Sequence, residues 1–575
     1  MILLSLLLVA GQVGLDLTFP DYMSEITTLV QTEGSLMSDV FVAGGKMLLC
    51  ALGSLALAIA VGYFASKLGA VLAMRVRQAI FEKVEGFSME EINRFSTASL
   101  ITRSTNDVTQ VQMVIAMGLQ VMIKAPIMAV WAISKISTKS WQWTASTAAA
   151  VVLLLLLIGI LMLFAMPRFR KIQTLTDNLN RVTRENLTGV RVVRAYNAEN
   201  YQEEKFEKAN EELTHNNLVA HKLMAVMMPG MNVIMNGMAL SIYWIGAFLI
   251  TQAQVTERIG LFSDMVVFSS YAMQVVMAFM MLTMIFIMIP RADVSAKRIN
   301  EVLDTEPVFR NGSRTEGAPG KEGEVEFRHV YFRYPDAADD VLSDISFSAK
   351  KGETVAFIGS TGSGKSTLVN LIPRFFDATK GEVLVDGVNV KEYSMEALHD
   401  RLGYVSQKAV MFAGTVESNV SYGDKNGKRV MEEDMVKKAV NIAQAGEFVE
   451  KMEGDYQGMI AQNGSNLSGG QKQRLSIARA VYRRPEIYIF DDSFSALDYK
   501  TDKTLRAVLK KETADTTTLI VAQRIGTIKN ADKIIVLDEG RAVGIGTHRE
   551  LLQNCETYRQ IALSQLSEEE LEDEK

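Results

Sequence analysis

The chain has 575 residues, 48% of them apolar and 22% charged, with a formal net charge of −6 and two cysteines. This excludes disordered, collagen-like and disulfide-scaffold classes, and the acidic balance offers no global attraction to polyanions, so no nucleic-acid partner is expected. Length alone would suggest about four soluble domains, yet the apolar residues are concentrated in the first half.

In chain order, residues 1–15 are apolar but would rise only about 22 Å as a helix, short of a bilayer core of about 30 Å, so this span needs help from its flanks. A secretory signal is the competing reading, but the segment lacks a basic lead and a small-residue cleavage site before Asp16. The expectation is a first spanning helix, with translation starting upstream of Met1. A second span covers about 40–64, interrupted by Lys46, and a third about 111–134, carrying Lys124 and Pro126. Three further runs, 144–166, 223–250 and 266–289, contain no charged side chain and exceed the roughly 18 residues that signal a spanning helix.

Lysine and arginine crowd the connections 67–110 and 167–222, whereas 17–39 has none, which places the two long connections and both termini in the cytoplasm. The polar residues there fall on helical spacing, so helices should continue past the lipid as stalks. The expected location is the cell membrane, as a multi-pass protein. Two charges within spans bear on function. Lys124 reads as snorkelling to the cytoplasmic interface rather than serving transport. Asp16 reads either as an outer-face gate contact or as a helix end. Methionines recur through the last two spans (Met224, Met227, Met228, Met231, Met235 and Met238, then Met273, Met277, Met280, Met281, Met284 and Met288). They suit a cavity that repacks around varied apolar ligands, or they fill lipid-facing and interhelix space.

Residues 304–323 collect Gly, Pro, Ser and charge without periodicity and read as a linker between a membrane domain, 1–303, and a soluble domain, 324–565, followed by an acidic tail, 566–575. The soluble domain opens with strand-like alternation and mixes short β-rich runs with helical segments. Gly359, Ser360, Thr361, Gly362, Ser363, Gly364, Lys365 and Ser366, followed by Thr367, form a phosphate loop between the apolar strand TVAFI and a helix. Its glycines let backbone N–H groups curl around phosphates, Lys365 supplies charge to them, and the Ser366 hydroxyl reaches Mg²⁺. About 120 residues later IYIF runs into Asp491 and Asp492, where one carboxylate can hold the metal shell and the next can orient the attacking water. Between these motifs lies LSGGQ, with Ser468, Gly469, Gly470 and Gln471 opening a helix.

Taken together, GSTGSGKS, LSGGQ and IYIFDD in that order resemble the ATP-binding cassette family, and with six spans ahead of them the chain resembles a half-transporter of the multidrug exporter type. The implied fold is a membrane α-helical bundle of six transmembrane helices followed by a cytoplasmic α/β P-loop ATPase domain. The resemblance implies that Tyr334 stacks on adenine, that Gln407 is the Q-loop residue beside the metal held by Ser366 and Asp491, and that SALD is the D-loop. It likens NRFSTASLITRSTNDV and RENLTGVRVVRAYNAE to coupling loops. It also implies ATP and Mg²⁺ as cofactors and a second half-transporter as partner, because each ATP is held by the phosphate loop of one cassette and the LSGGQ of the other.

At three positions, two of them catalytic, the chain departs from that family pattern. Asp492 stands where Glu is usual and Gln523 where a switch His is usual, while Gln462 replaces a commonly acidic residue ahead of LSGGQ. Asp is one methylene shorter than Glu, and Gln cannot carry a proton as imidazole does. The expectation is a chain that binds MgATP well, hydrolyses it poorly at its own phosphate loop, and lends an intact LSGGQ to a competent site built on a partner. This resembles the degenerate-site subunit of a bacterial heterodimeric exporter of small hydrophobic or amphipathic compounds, drugs or lipids. The alternatives are a homodimeric lipid flippase or peptide exporter with two slowed sites, and an ATP-gated regulatory membrane protein.

Overall fold

The computed structural model describes residues 2–32, 34–254, 257–335, 337–423 and 431–566; positions 567–575 of the acidic tail and the side chain of Met284 lie outside the described residues. The chain forms two compact units, residues 1–85 with 98–305, and residues 86–97 with 306–575.

The first unit is helical. Among the described residues six helices are long and apolar enough to cross a membrane: Leu3–Gln31, Met37–Glu85, Thr97–Ser137, Trp141–Thr188, Glu199–Gln252 and Arg258–Leu282. The second and fourth run 49 and 48 residues, roughly 70 Å at 1.5 Å per residue, more than twice the hydrocarbon thickness. Val9, Val13 and Leu17 form a buried stripe at helical spacing on the first helix. Trp143 and Phe268 pack with ring centroids 5.4 Å apart. Gly246 lets helices approach closely, since a Cβ there would lie 2.3 Å from Met265 Sδ. Large apolar side chains such as Leu49, Phe164 and Trp244 point outward, as a bundle solvated by lipid requires.

Several sequence expectations change here. The first helix draws on the flank after residue 15, as its short apolar run required, and runs Ile2–Gln31 through Asp16 and Asp21. Charge alone does not end a helix, and each acid meets a lysine: Asp16 lies 3.0 Å from Lys124 and Asp21 lies 2.8 Å from Lys135. Asp16 is therefore not at a helix end, and Lys124 turns sideways to an acid instead of snorkelling. The methionines divide. Met231 and Met238 are buried in the core, whereas Met277 and Met281 line a pocket. Toward the far end of this unit, a π-helical turn, Arg103–Asp107, is fixed to the last helix by Arg103 to Glu301 at 2.7 Å and Ser295 to Asp107 at 2.8 Å.

The second unit includes a short helix, Met89–Phe95, whose start is closed by a reciprocal capping box between Ser88 and Glu91. Glu91 also accepts the Val308 N–H at 2.8 Å. Beyond Asp304, which ends the helix Arg258–Asp304, the stretch read as a linker has no helix or regular strand, yet Gly312 and Ala318 donate to the carbonyls of Tyr393 and Asp386 at 3.0 and 2.8 Å, so much of it is laid onto this unit.

Among the described residues the strands are β1 (Val325–Phe332), β2 (Leu342–Ala349), β3 (Thr354–Gly359), β4 (Lys380–Val385), β5 (Val388–Asn389), β6 (Leu402–Val405), β7 (Gly414–Thr415), β8 (Met459–Ile460), β9 (Ile487–Asp491), β10 (Thr517–Val521), β11 (Lys533–Asp538) and β12 (Arg541–Gly546). One sheet has the order β2-β1-β4-β5 and is antiparallel; a larger one has the order β12-β11-β3-β10-β9-β6 and is parallel except at β12. Alternation on the parallel strands explains their unbroken apolar runs. Val355, Phe357, Ile487, Ile489, Leu519 and Val521 join the core shared with the antiparallel sheet, while Ala356, Ile358, Tyr488, Phe490 and Ile520 enter the core under the helices. Both faces are covered, so both must be apolar.

Candidate nucleotide site

The parallel register brings three chemistry-bearing strand ends together. Val521 pairs with both Phe357 and Asp491, so the loops leaving β3, β9 and β10 emerge side by side at the carboxyl edge, where ligands of open α/β sheets bind. The loop after β3 demands glycine at two points. A Cβ on Gly359 would lie 2.0 Å from the Leu537 carbonyl, and Gly364 sits at φ +92°, in the left-handed region. Thr361 and Gly362 form the exposed crest, while Ser363 and Thr367 are buried.

Lys365 Nζ donates to the carbonyls of Gly359 and Ser360 at 2.8 and 2.6 Å and approaches Ser363 Oγ at 3.3 Å. Burial lowers its pKa, opposed by the charges of Asp492 and Asp491. Ser366 Oγ donates to Asp491 Oδ1 at 2.8 Å. Burial raises the Asp491 pKa, with the Ser366 hydrogen bond pulling the other way. A hydroxyl and a carboxylate side by side at a strand end suit a hard cation whose remaining ligands are phosphate oxygens and water. Among the described residues no cluster of three or more His, Cys, Asp or Glu could hold a metal by itself.

Asp492 adopts φ 48°, a conformation that Asp tolerates better than most residues. Its Oδ2 accepts from Gln523 Nε2 at 2.8 Å and from Gln407 Nε2 at 3.4 Å. The two positions read as altered are thus bonded to each other, and an acceptor that would otherwise face water is occupied by an amide. Burial raises the Asp492 pKa, offset by hydrogen bonds led by Gln407. Gln565, which the sequence reading missed, fastens this loop: its side chain donates to the Gln523 carbonyl and accepts from the Ile525 N–H, both at 2.8 Å. Nothing local marks a lone Gln 42 residues downstream as part of the site.

Tyr334 meets Thr367 at 3.1 Å through its hydroxyl and packs edge-on against Phe332 and Phe376. Ser468 and Gln471 close a capping box on the helix Gly469–Arg483. A Cβ on Gly470 would lie 3.2 Å from the Ala496 carbonyl, so LSGGQ packs on the loop after β9, while Ser468 and Gly469 stay exposed. No hydrogen bond among the described residues joins Ser468, Gly469, Gly470 or Gln471 to the phosphate loop.

Residues 2–300 match the model of the ABC transporter transmembrane region, and residues 342–495 match the ABC transporter model. The chain belongs to the ABC transporter family. Carrying one transmembrane region and one ATP-binding region, this ABC transporter has the organisation of a half-exporter, a multi-pass membrane protein of a class that usually dimerises. It is 41% identical over 526 residues, 91% of this chain and 87% of the relative, to an uncharacterized ABC transporter ATP-binding protein of Mycobacterium tuberculosis. It is 35% identical, over 98% of the chain and 96% of the relative, to another of Bacillus subtilis. An ATP-dependent lipid A-core flippase of Aromatoleum aromaticum is 32% identical over 88% of this chain and 82% of its own length. The fold matches that of a bacterial Atm1-family ABC exporter with ATP bound, with TM-score 0.81 at 21% identity and 98% coverage of both chains. The ATP-binding domain of such a transporter binds ATP, typically with Mg²⁺, and hydrolyses it to drive transport.

Proposed function

We propose that this ABC half-exporter is one subunit of a heterodimer that moves hydrophobic or amphipathic compounds outward across the cell membrane, with both termini in the cytoplasm. Its own phosphate loop holds MgATP and hydrolyses it slowly, while its LSGGQ completes the competent site on a partner. The observation that carries this reading is the closed pair Asp492–Gln523 at 2.8 Å beside an intact Lys365, Ser366 and Asp491. Lys365 would leave its loop carbonyls for the nucleotide's phosphates, and Tyr334 would present its ring to adenine. Ser366, Asp491 and the amide oxygen of Gln407 would hold Mg²⁺, which when bound neutralises phosphate charge. The Gln523 amide competes with an attacking water for Asp492 Oδ2, and Gln565 holds the Gln523 backbone in place. The exposed Ser468 and Gly469 offer a hydroxyl and helix-start N–H groups to a phosphate on the facing cassette. Closure of the two cassettes on nucleotide then shifts the bundle between inward and outward access.

Lipids are candidate cargo, supported by the relatives named as lipid A-core flippases. The test is a comparison in the assembled transporter. Asp492→Ala should change its ATPase rate less than about twofold, whereas Ala at the partner's corresponding carboxylate should lower it by about 10³-fold. Equal losses would contradict the reading.

A further inference from the structure

The first unit holds a polar cluster deep within its spans. Asp16, Lys124 and Gln274 lie roughly 22, 20 and 24 Å along their helices from the ends at Gln31, Ser137 and Arg258, each within a candidate membrane span. Asp16 Oδ2 pairs with Lys124 Nζ at 3.0 Å, and its Oδ1 accepts from Ser54. Gln274 Nε2 donates to the Asp16 carbonyl at 3.3 Å, but its Oε1 is buried without a hydrogen-bond partner among the described residues. Beside the pair lies a pocket of about 440 Å³ with Met128, Met277 and Met281 in its walls, within the range of pockets that take drug-sized molecules.

An ion pair at this depth is costly unless it serves a function. A ligand bringing only a cation would satisfy Asp16 and strand Lys124, and one bringing only an anion would do the reverse. A zwitterion can replace both partners at once. An ammonium with N–H groups can bond Asp16 and the orphan Gln274 oxygen together, while its anionic group meets Lys124 and its apolar part lies on the thioethers. We propose that this pocket is a cargo site selective for zwitterionic amphiphiles bearing a primary ammonium and a phosphate or carboxylate. The inference rests on the exporter reading for the word cargo, but binding at the site can be measured without it.

The full chain, in nanodiscs of phosphatidylglycerol, is titrated with lysophosphatidylethanolamine and with leucyl-phenylalanine, the two zwitterions. Lysophosphatidylcholine lacks N–H donors, lysophosphatidic acid the cation, and dodecylamine the anion. At least one zwitterion should bind 10-fold or more tighter than all three others; which one does so separates a lipid headgroup from a peptide as source. Asp16→Asn, Lys124→Gln and Gln274→Leu should each erase that preference, with retained MgATP binding marking a folded variant. Should a variant fail to fold, the ligand series on the unmodified chain still decides. Equal affinities across the series, or preference surviving in all three folded variants, would overturn the site. Selective binding without ATP-driven movement of the bound zwitterion would instead overturn the exporter reading and leave the site standing.

Discussion

Lys365→Ala should weaken MgATP binding at this chain's phosphate loop by at least about 10²-fold. The amine is buried and held by three oxygens of its own loop at 2.6 to 3.3 Å, so it is already positioned where phosphates would sit. Charge-assisted hydrogen bonds are worth about 1.5 to 3 kcal/mol each, and losing two of them corresponds to at least about 10²-fold in affinity. Calorimetric titration with MgATP reads the change directly. Lys365→Arg keeps the charge but not the fit, and should fall between the two. A loss below about threefold in the alanine variant would place nucleotide recognition elsewhere.

The double change Asp492→Glu with Gln523→His should raise ATP turnover at the same loop by about 10²-fold. A carboxylate about 1 Å out of place can cost that much, and an imidazole restores a group that can carry a proton. The side chains at 492 and 523 are bonded to each other at 2.8 Å, so the changes should be non-additive. Asp492→Glu alone leaves an amide on the new carboxylate, and Gln523→His alone leaves it short. A second copy of the same chain can supply the unaltered Ser468 and Gly469, so phosphate release can be followed on the purified variant. No acceleration over the unmodified chain would mean that these two positions do not limit its chemistry.

Much of the fold was legible because periodicity is a local property. The apolar runs TVAFI and IYIF announced the strands β3 and β9, and 144–166 and 223–250 announced spans. What failed depended on distant partners. Asp16 could be read as a helix end as well as a gate contact because Lys124, which pairs with it, lies 108 residues away. The linker looked free because Gly, Pro and Ser have no period, yet Gly312 is packed so closely that a Cβ would lie 2.1 Å from the Glu392 carbonyl. At the nucleotide site, motif spacing delivered Lys365, Ser366, Asp491 and Asp492 because backbone geometry fixes them within a few residues of a strand end. Gln565 reaches the Gln523 loop through tertiary packing alone, and no pattern of residue types near it could have shown this.

The most direct measurement is the steady-state ATPase rate of the purified chain with no second kind of subunit, compared with its Lys365→Ala variant. The account predicts a rate close to background for both, rising substantially only when a complementary half-exporter is co-purified. A brisk rate from the chain by itself, abolished by Lys365→Ala, would contradict it.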